Sequence, residues 1–153
     1  MLSNEIFKCV VENTPLVSID FLIKKDNKYL LGKRKNPPAE GFYFTIGGRI
    51  FKNETIRNAQ ERILKEELNL ISDAIKDRNF LGIFEHFYKD SIFGDKVSTH
   101  YVNLAYEIEL RYDIKNLPSD QHNEYRWFTE EEISTSDEVH RYVKKYFKGS
   151  EYV

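Results

Sequence analysis

Apolar residues recur along this chain at two spacings, and the changes between them mark out its elements. From Leu16 to Ile23 (LVSIDFLI) they alternate, so Val17, Ile19, Phe21 and Ile23 fall on one face of an expected strand. The turn Asp26-Asn27-Lys28 leads into a second strand near Tyr29–Lys33, which predicts a hairpin. Asn36-Pro37-Pro38 and Glu40-Gly41 punctuate a loop before a short strand, Phe42–Ile46, and a further loop is expected after Gly47-Gly48. A three-to-four-residue spacing then predicts a helix from about Glu54 to Leu68, with Ile56, Ala59, Ile63, Leu64 and Leu68 as its apolar stripe. Asn69 follows where a left-handed residue would end it. Strands are expected near Asn79–Tyr88, Thr99–Leu110 and Glu124–Phe128. Thr129…Glu132 and Thr135…Glu138 both have capping-box spacing, and the second is read as opening a terminal helix with Val139, Tyr142, Val143 and Tyr146 on one side. Strands interrupted by a central helix, with helices at the end, predict the α+β class. No repeat or linker divides the chain, so residues 1–153 are read as one domain.

Composition narrows the partners. With 41% hydrophobic residues over 153 positions a packed core is expected rather than disorder. A net charge of -2 supplies no general basic footprint for nucleic acid, though a few converging arginines could still hold a small anion. Cys9 is the sole cysteine, which excludes intramolecular disulfides and cysteine-rich metal sites. The first residues lack the basic and apolar regions of a signal peptide, and no apolar run approaches the roughly 18 residues of a membrane span. A cytoplasmic protein without membrane contact is the expectation.

Chemistry enters at residues 48–70, GRIFKNETIRNAQERILKEELNL. Glu67 lies four residues after Ile63 and three after Leu64, so it points towards a partly buried face, where a carboxylate needs a partner. A hard cation bridging to phosphate oxygens would provide one, and magnesium prefers such ligands. The segment resembles the Nudix box, G-x5-E-x7-R-E-U-x-E-E-x-G-U, where U is a bulky aliphatic. Gly48, Glu54, Arg62, Leu64, Glu66, Glu67 and Leu70 match, while Ile63 and Asn69 depart from the pattern. The resemblance implies a Nudix fold, a mixed β-sheet sandwiched between helices. Ile63 stands where the family usually has glutamate, so fewer metal ions should bind and the base should come from elsewhere.

Outside the box, TPLVSIDF (14–21), LLGKR (30–34), GFYFTIGGR (41–49), GIFEHFY (82–88), STHYV (98–102) and DQHNEYRWFT (120–129) resemble one Nudix branch, the GDP-mannose mannosyl hydrolases. That family hydrolyses GDP-mannose, and GDP-glucose, to GDP and free sugar, with water attacking the anomeric carbon and inverting it. The resemblance implies one magnesium ion, or manganese in its place, on the Gly47 carbonyl, Glu67 and Gln121. It implies His122 as general base, a task that suits imidazole. Arg34 and Arg49 would hold the phosphates, because guanidinium forks match them. Tyr101 is read as meeting ligand from the strand face opposite Val102, Leu104 and Ile108. Asp20, costly in an apolar strand unless paired, would contact the sugar and leaving-group region together with His86. Arg62 is expected to brace the box carboxylates, and Glu66 to stand behind the metal ligands. The family also implies a homodimer, with the segment before Pro15 contributing contacts.

Two other readings stay open. A conventional Nudix diphosphatase would attack phosphorus and yield GMP and a sugar 1-phosphate, and the presence of both Glu66 and Glu67 favours it. A non-catalytic sensor of nucleotide sugars would bind without turnover. The residues do not separate GDP-mannose from GDP-glucose, and they do not define a guanine pocket.

Overall fold

The computed structural model describes residues 1–115, 117 and 122–152, without the side chains of residues 122 and 123. It contains one seven-stranded mixed sheet. Strand β1 (Leu16–Lys25) lies at its centre, antiparallel to β2 (Lys28–Arg34) and parallel to β6 (Thr99–Leu110). Asp26 and Asn27 both adopt positive φ, as a tight two-residue hairpin turn requires, which is why a polar pair stands there. Strand β3 (Tyr43–Phe44) pairs with β2, and β4 (Ile46–Arg49) pairs with β1. The expected strand 42–46 is thus two short strands. The second runs past the expected end, through Gly47 and Gly48 to Arg49, and the expected loop follows it.

Strand β5 (Ile75–Tyr88) runs antiparallel to β6, with its register shifting between Phe80 and Gly82. Gly82 holds φ 132, a conformation that glycine adopts without strain. Strand β7 (His122–Thr129) pairs with β2. Strand β5 begins at Ile75, before the expected Asn79, because Lys76 and Asp77 face solvent and carry no apolar pattern, whereas β6 spans the residues expected.

Alternation along β1 supplies both layers of the core. Ile19, Phe21 and Ile23 pack under helix α2 (Ile56–Leu68), against Ala59, Ile63, Leu64 and Leu68. Leu22 faces the other way, towards Leu31, Phe84, Phe128, Tyr142, Val143 and Tyr146. The observed α2 starts after Thr55, whose hydroxyl accepts from the Asn58 amide, and it ends on Asn69 at φ 55. Two expected core positions are corrected. Val17, near the start of β1, is 45% exposed, and Ile56 is 45% exposed in the first turn of α2.

The Thr129…Glu132 capping box is formed and opens α3 (Glu130–Thr135). The Thr135…Glu138 spacing does not start a helix. Thr135 closes α3, its hydroxyl bonding back to Glu131, and Val139 bridges to Tyr43 as extended chain. Only then does α4 (Arg141–Lys145) begin, capped by His140. The residues expected to face inwards do so, since Val139, Tyr142, Val143 and Tyr146 are all buried, although Val139 precedes the helix and Tyr146 caps its end. Helix α1 (Asn4–Asn13) has no counterpart in the pattern reading, although Ser3 caps it and Phe7, Val10 and Val11 line its inner side at helical spacing. No described helix is long and apolar enough to cross a membrane.

Candidate active site

Odd and even positions on neighbouring strands bring side chains to one face of the sheet. On β1 these are Ser18 and Asp20, on β4 Gly47 and Arg49, on β6 Tyr101 and Asn103, and on β5 His86 and Tyr88. With Arg34 of β2, Phe44 and Pro38 they line a cavity of about 230 Å³. Five side chains singled out by the sequence reading therefore converge: Asp20, Arg34, Arg49, His86 and Tyr101. A second cavity, about 280 Å³, meets the first at Arg34, Pro38 and Tyr101 and continues past Phe7, Asn36, Ser91 and Thr99.

Asp20 pairs directly with Gly47 across β1 and β4. A Cβ at residue 47 would collide with Asp20 Oδ1 and would lie 2.5 Å from the Ile19 carbonyl, so glycine makes the room that this carboxylate occupies. Burial pushes the Asp20 pKa up to about 6, against the opposing effects of the Tyr146 hydroxyl and the nearby Arg34 charge. The Tyr146 hydroxyl donates to Asp20 Oδ2. Burial also lowers His86 to about 3, with His140 and Lys145 adding to the effect, so its imidazole is neutral near pH 7. The ring stacks flat on Tyr142 at 4.2 Å. Burial raises Tyr101 and Tyr88, which keeps both as neutral phenols that can donate.

The two cavity arginines are held differently. Arg34 Nε donates to the Pro38 carbonyl at 2.8 Å, which fixes its guanidinium against the loop. The Arg49 guanidinium lies 4.2 Å above the Phe7 ring and 5.4 Å from Phe51, so α1 forms part of its seat.

Behind β4 the box residues are organised around Arg62. It forms a two-pronged ion pair with Glu54, at 2.7 and 2.9 Å, and reaches Glu66 at 3.2 Å. Its Nη2 also donates to the Arg49 carbonyl at 2.7 Å, and Phe51 covers it at 3.8 Å. Arg62 thus contacts two carboxylates of the box, Glu54 and Glu66. Ile63 is 1% exposed, and its Cγ1 would lie 3.2 Å from a Cβ on Gly48. The aliphatic side chain fills the space between helix and strand that glycine leaves.

Backbone pairing of β4 orients the Gly47 carbonyl, one of the expected metal ligands. Ile50 donates to Val17, so Gly48 and Ile46 also turn their amides and carbonyls towards β1, while Gly47 and Arg49 turn theirs away. The Arg49 carbonyl does reach α2, through Arg62. Two residues earlier, the Gly47 carbonyl faces the same side, and half-buried Glu67 lies one turn beyond Ile63 on that helix. A backbone carbonyl and a carboxylate are both oxygen donors of the kind that a hard divalent cation takes. Among the described residues no three His, Cys, Asp or Glu side chains gather, and the expected set includes only one such side chain. Gln121 lies outside the described residues. So does the side chain of His122, but its backbone stands directly opposite Arg34 in the β2–β7 ladder, at the cavity rim.

Sequence reasoning missed Ser18, Phe44, Tyr88 and Asn103 in the lining, and Tyr146 behind it. The polar Ser18 in an apolar strand carried the same signal as Asp20. Tyr146 read as core because its hydroxyl partner lies 126 residues away.

A family model described as a NUDIX domain matches residues 14–147. The low-salt glycan biosynthesis protein Agl8 of Haloferax volcanii is 40% identical over 141 residues, covering 92% of this chain and 85% of that protein. An ADP-ribose pyrophosphatase of Methanocaldococcus jannaschii is 43% identical over 114 residues, 68% of this chain and 65% of that one. Among solved structures, a MutT Nudix hydrolase from Burkholderia pseudomallei superposes with a TM-score of 0.70 at 22% identity, covering 89% of this chain and 98% of that one. The Nudix domain of Shewanella oneidensis NrtR, solved with ADP-ribose, gives 0.65 at 15% identity, covering 96% of each. These two likenesses concern the fold.

Proposed function

The chain belongs to the Nudix family of hydrolases, and within it we propose that this cavity hydrolyses a GDP-hexose, GDP-mannose or GDP-glucose, to GDP and free sugar. The observation that carries the reading is the convergence of Asp20, Arg34, Arg49, His86 and Tyr101 on one cavity, beside a box helix that buries an isoleucine where the family has a carboxylate. A relative named for glycan biosynthesis adds support from outside the chain.

In this reading the diphosphate lies where the two cavities meet, at Arg34, with Arg49 beside it. The hexose faces Asp20 and His86, and the nucleoside extends past Phe7. The His122 imidazole takes a proton from water as its oxygen bonds to the anomeric carbon. The bond from that carbon to the phosphate oxygen breaks, and GDP leaves with the electron pair. Charge accumulates on the departing diphosphate, which the two guanidiniums stabilise without supplying a proton. Magnesium, when held by the Gly47 carbonyl, Glu67 and Gln121, would neutralise further phosphate charge.

The phosphorus-attack reading keeps one specific observation in its favour. Glu54, Glu66 and Glu67 all project from the box segment, and one relative is named an ADP-ribose pyrophosphatase. Incubating the protein and magnesium with a panel of nucleotide sugars, followed by product chromatography, separates the two. GDP and free hexose are expected, whereas GMP and hexose 1-phosphate would refute the proposal. His122→Ala is expected to lower kcat by about 10²–10⁴-fold, as loss of a general base does, with GDP affinity retained. Near-normal turnover in that variant would remove His122 from the base role.

A further inference from the structure

Along the cavity wall, and behind it at Tyr146, runs a chain of five buried side chains: Ser18, Asn103, His86, Tyr146 and Asp20, each between 2% and 8% exposed. Four come from three different strands and one from the segment after α4. Ser18 and Asn103 are register partners across the parallel β1–β6 pair. The Ser18 hydroxyl donates to Asn103 Oδ1. That leaves the amide nitrogen of Asn103 facing His86 Nδ1, at 2.6 Å. An amide nitrogen only donates, so Nδ1 accepts and the single proton of the neutral ring sits on Nε2.

The other end of the chain requires the same arrangement. The Tyr146 hydroxyl donates its one proton to Asp20 Oδ2, so its oxygen can only accept from His86 Nε2, 3.4 Å away. Hydrogen-bond direction therefore runs one way from Asn103 to Asp20. Asp20 Oδ2 is occupied from beneath, and Oδ1 lies over Gly47, at the cavity surface.

We propose that Asn103 and Tyr146 are positioning residues for hexose recognition: they hold His86 as its Nε2–H tautomer and anchor Asp20 so that Oδ1 is presented to a sugar hydroxyl. The hexose in this statement rests on the GDP-hexose reading; the tautomer and the direction of the chain do not. Tyr146 is well suited to the task because its ring is clamped edge-on by Phe84 at 4.7 Å, which keeps the hydroxyl from swinging away. The carboxy-terminal segment thereby acts on a site built by strands.

Long-range ¹⁵N NMR of the imidazoles in the intact protein, with His86 assigned by the loss of its signals in His86→Gln, reads the tautomer without any substrate. Protonated Nε2 and bare Nδ1 are expected, and a proton on Nδ1 in the wild type would overturn the proposal. Asn103→Asp replaces the donor with an acceptor and is expected to bring a proton to Nδ1; an unchanged spectrum would overturn it as well. Tyr146→Phe keeps the ring and removes the hydroxyl. It is expected to lower kcat/KM for GDP-mannose by about tenfold or more, because a buried site built to bond hydroxyls is left unpaired, while the Kd of GDP stays within about twofold. Unchanged kcat/KM, or an equal loss of GDP affinity, would mark Tyr146 as merely structural. Should Tyr146→Phe fail to fold, the tautomer in the wild type and in Asn103→Asp still decides the proposal. Should the wild type turn over no GDP-hexose, the functional reading fails and the NMR result stands by itself.

Discussion

Two buried groups at the site, Asp20 and His86, and the half-buried His140 behind them titrate away from their ordinary values, and they pull stability in opposite directions. Asp20 is raised from 3.8 to about 6, so its contribution to folding is full below pH 3.8 and disappears as pH rises through 6. His86 and His140 are lowered from 6.5 to about 3 and about 4, chiefly by burial. Their contributions are full above pH 6.5 and decline as acid protonates the unfolded chain but not the native rings. Between pH 6 and pH 4.5 two histidines oppose one carboxylate. The net loss is at most about 1.4 kcal/mol per pH unit, the equivalent of one proton. Thermal denaturation followed from pH 6.5 to 4.5 is expected to show a falling Tm, and a flat or rising Tm would contradict these environments.

Two helices shape the site without entering the sheet. Helix α2 meets β4 through Ile63, which is fully buried against Gly48. Ile63→Ala would open a cavity there and is expected to cost about 2–5 kcal/mol, read by denaturant titration. A loss below 1 kcal/mol would mean that the side chain is not the spacer described. Helix α1 supplies Phe7, whose ring lies under the Arg49 guanidinium. A stacked cation of this kind gains about 0.5–2 kcal/mol. Phe7→Ala is expected to raise KM for the GDP-hexose by up to about thirtyfold, the equivalent of that energy, with kcat less affected. An unchanged KM would detach α1 from ligand binding.

Across the whole molecule, what the sequence disclosed follows the range of the forces involved. The hairpin turn at Asp26-Asn27, the Asn69 helix end and the Thr129 capping box are set by neighbours a few residues apart, and each is found where its local chemistry puts it. The α+β architecture and the Nudix box were legible for the same reason, since periodicity and motif spacing are local. The limits lay where distant contacts decide. Thr135…Glu138 has good capping spacing, yet pairing of Val139 with Tyr43 holds that stretch extended. Ser18, Asn103 and Tyr146 carry no local mark of belonging to one polar chain, because strand register and the return of the carboxy-terminal segment bring them together. Asp20 could be singled out only because a carboxylate in an apolar strand is conspicuous by itself.

The proposed reaction is defined by which bond breaks, carbon–oxygen or phosphorus–oxygen. Hydrolysis of a GDP-hexose in water labelled with oxygen-18, with both products weighed by mass spectrometry, decides it directly. Label in the free hexose and none in GDP is the predicted result. Label in a phosphate-containing product would contradict attack at the anomeric carbon.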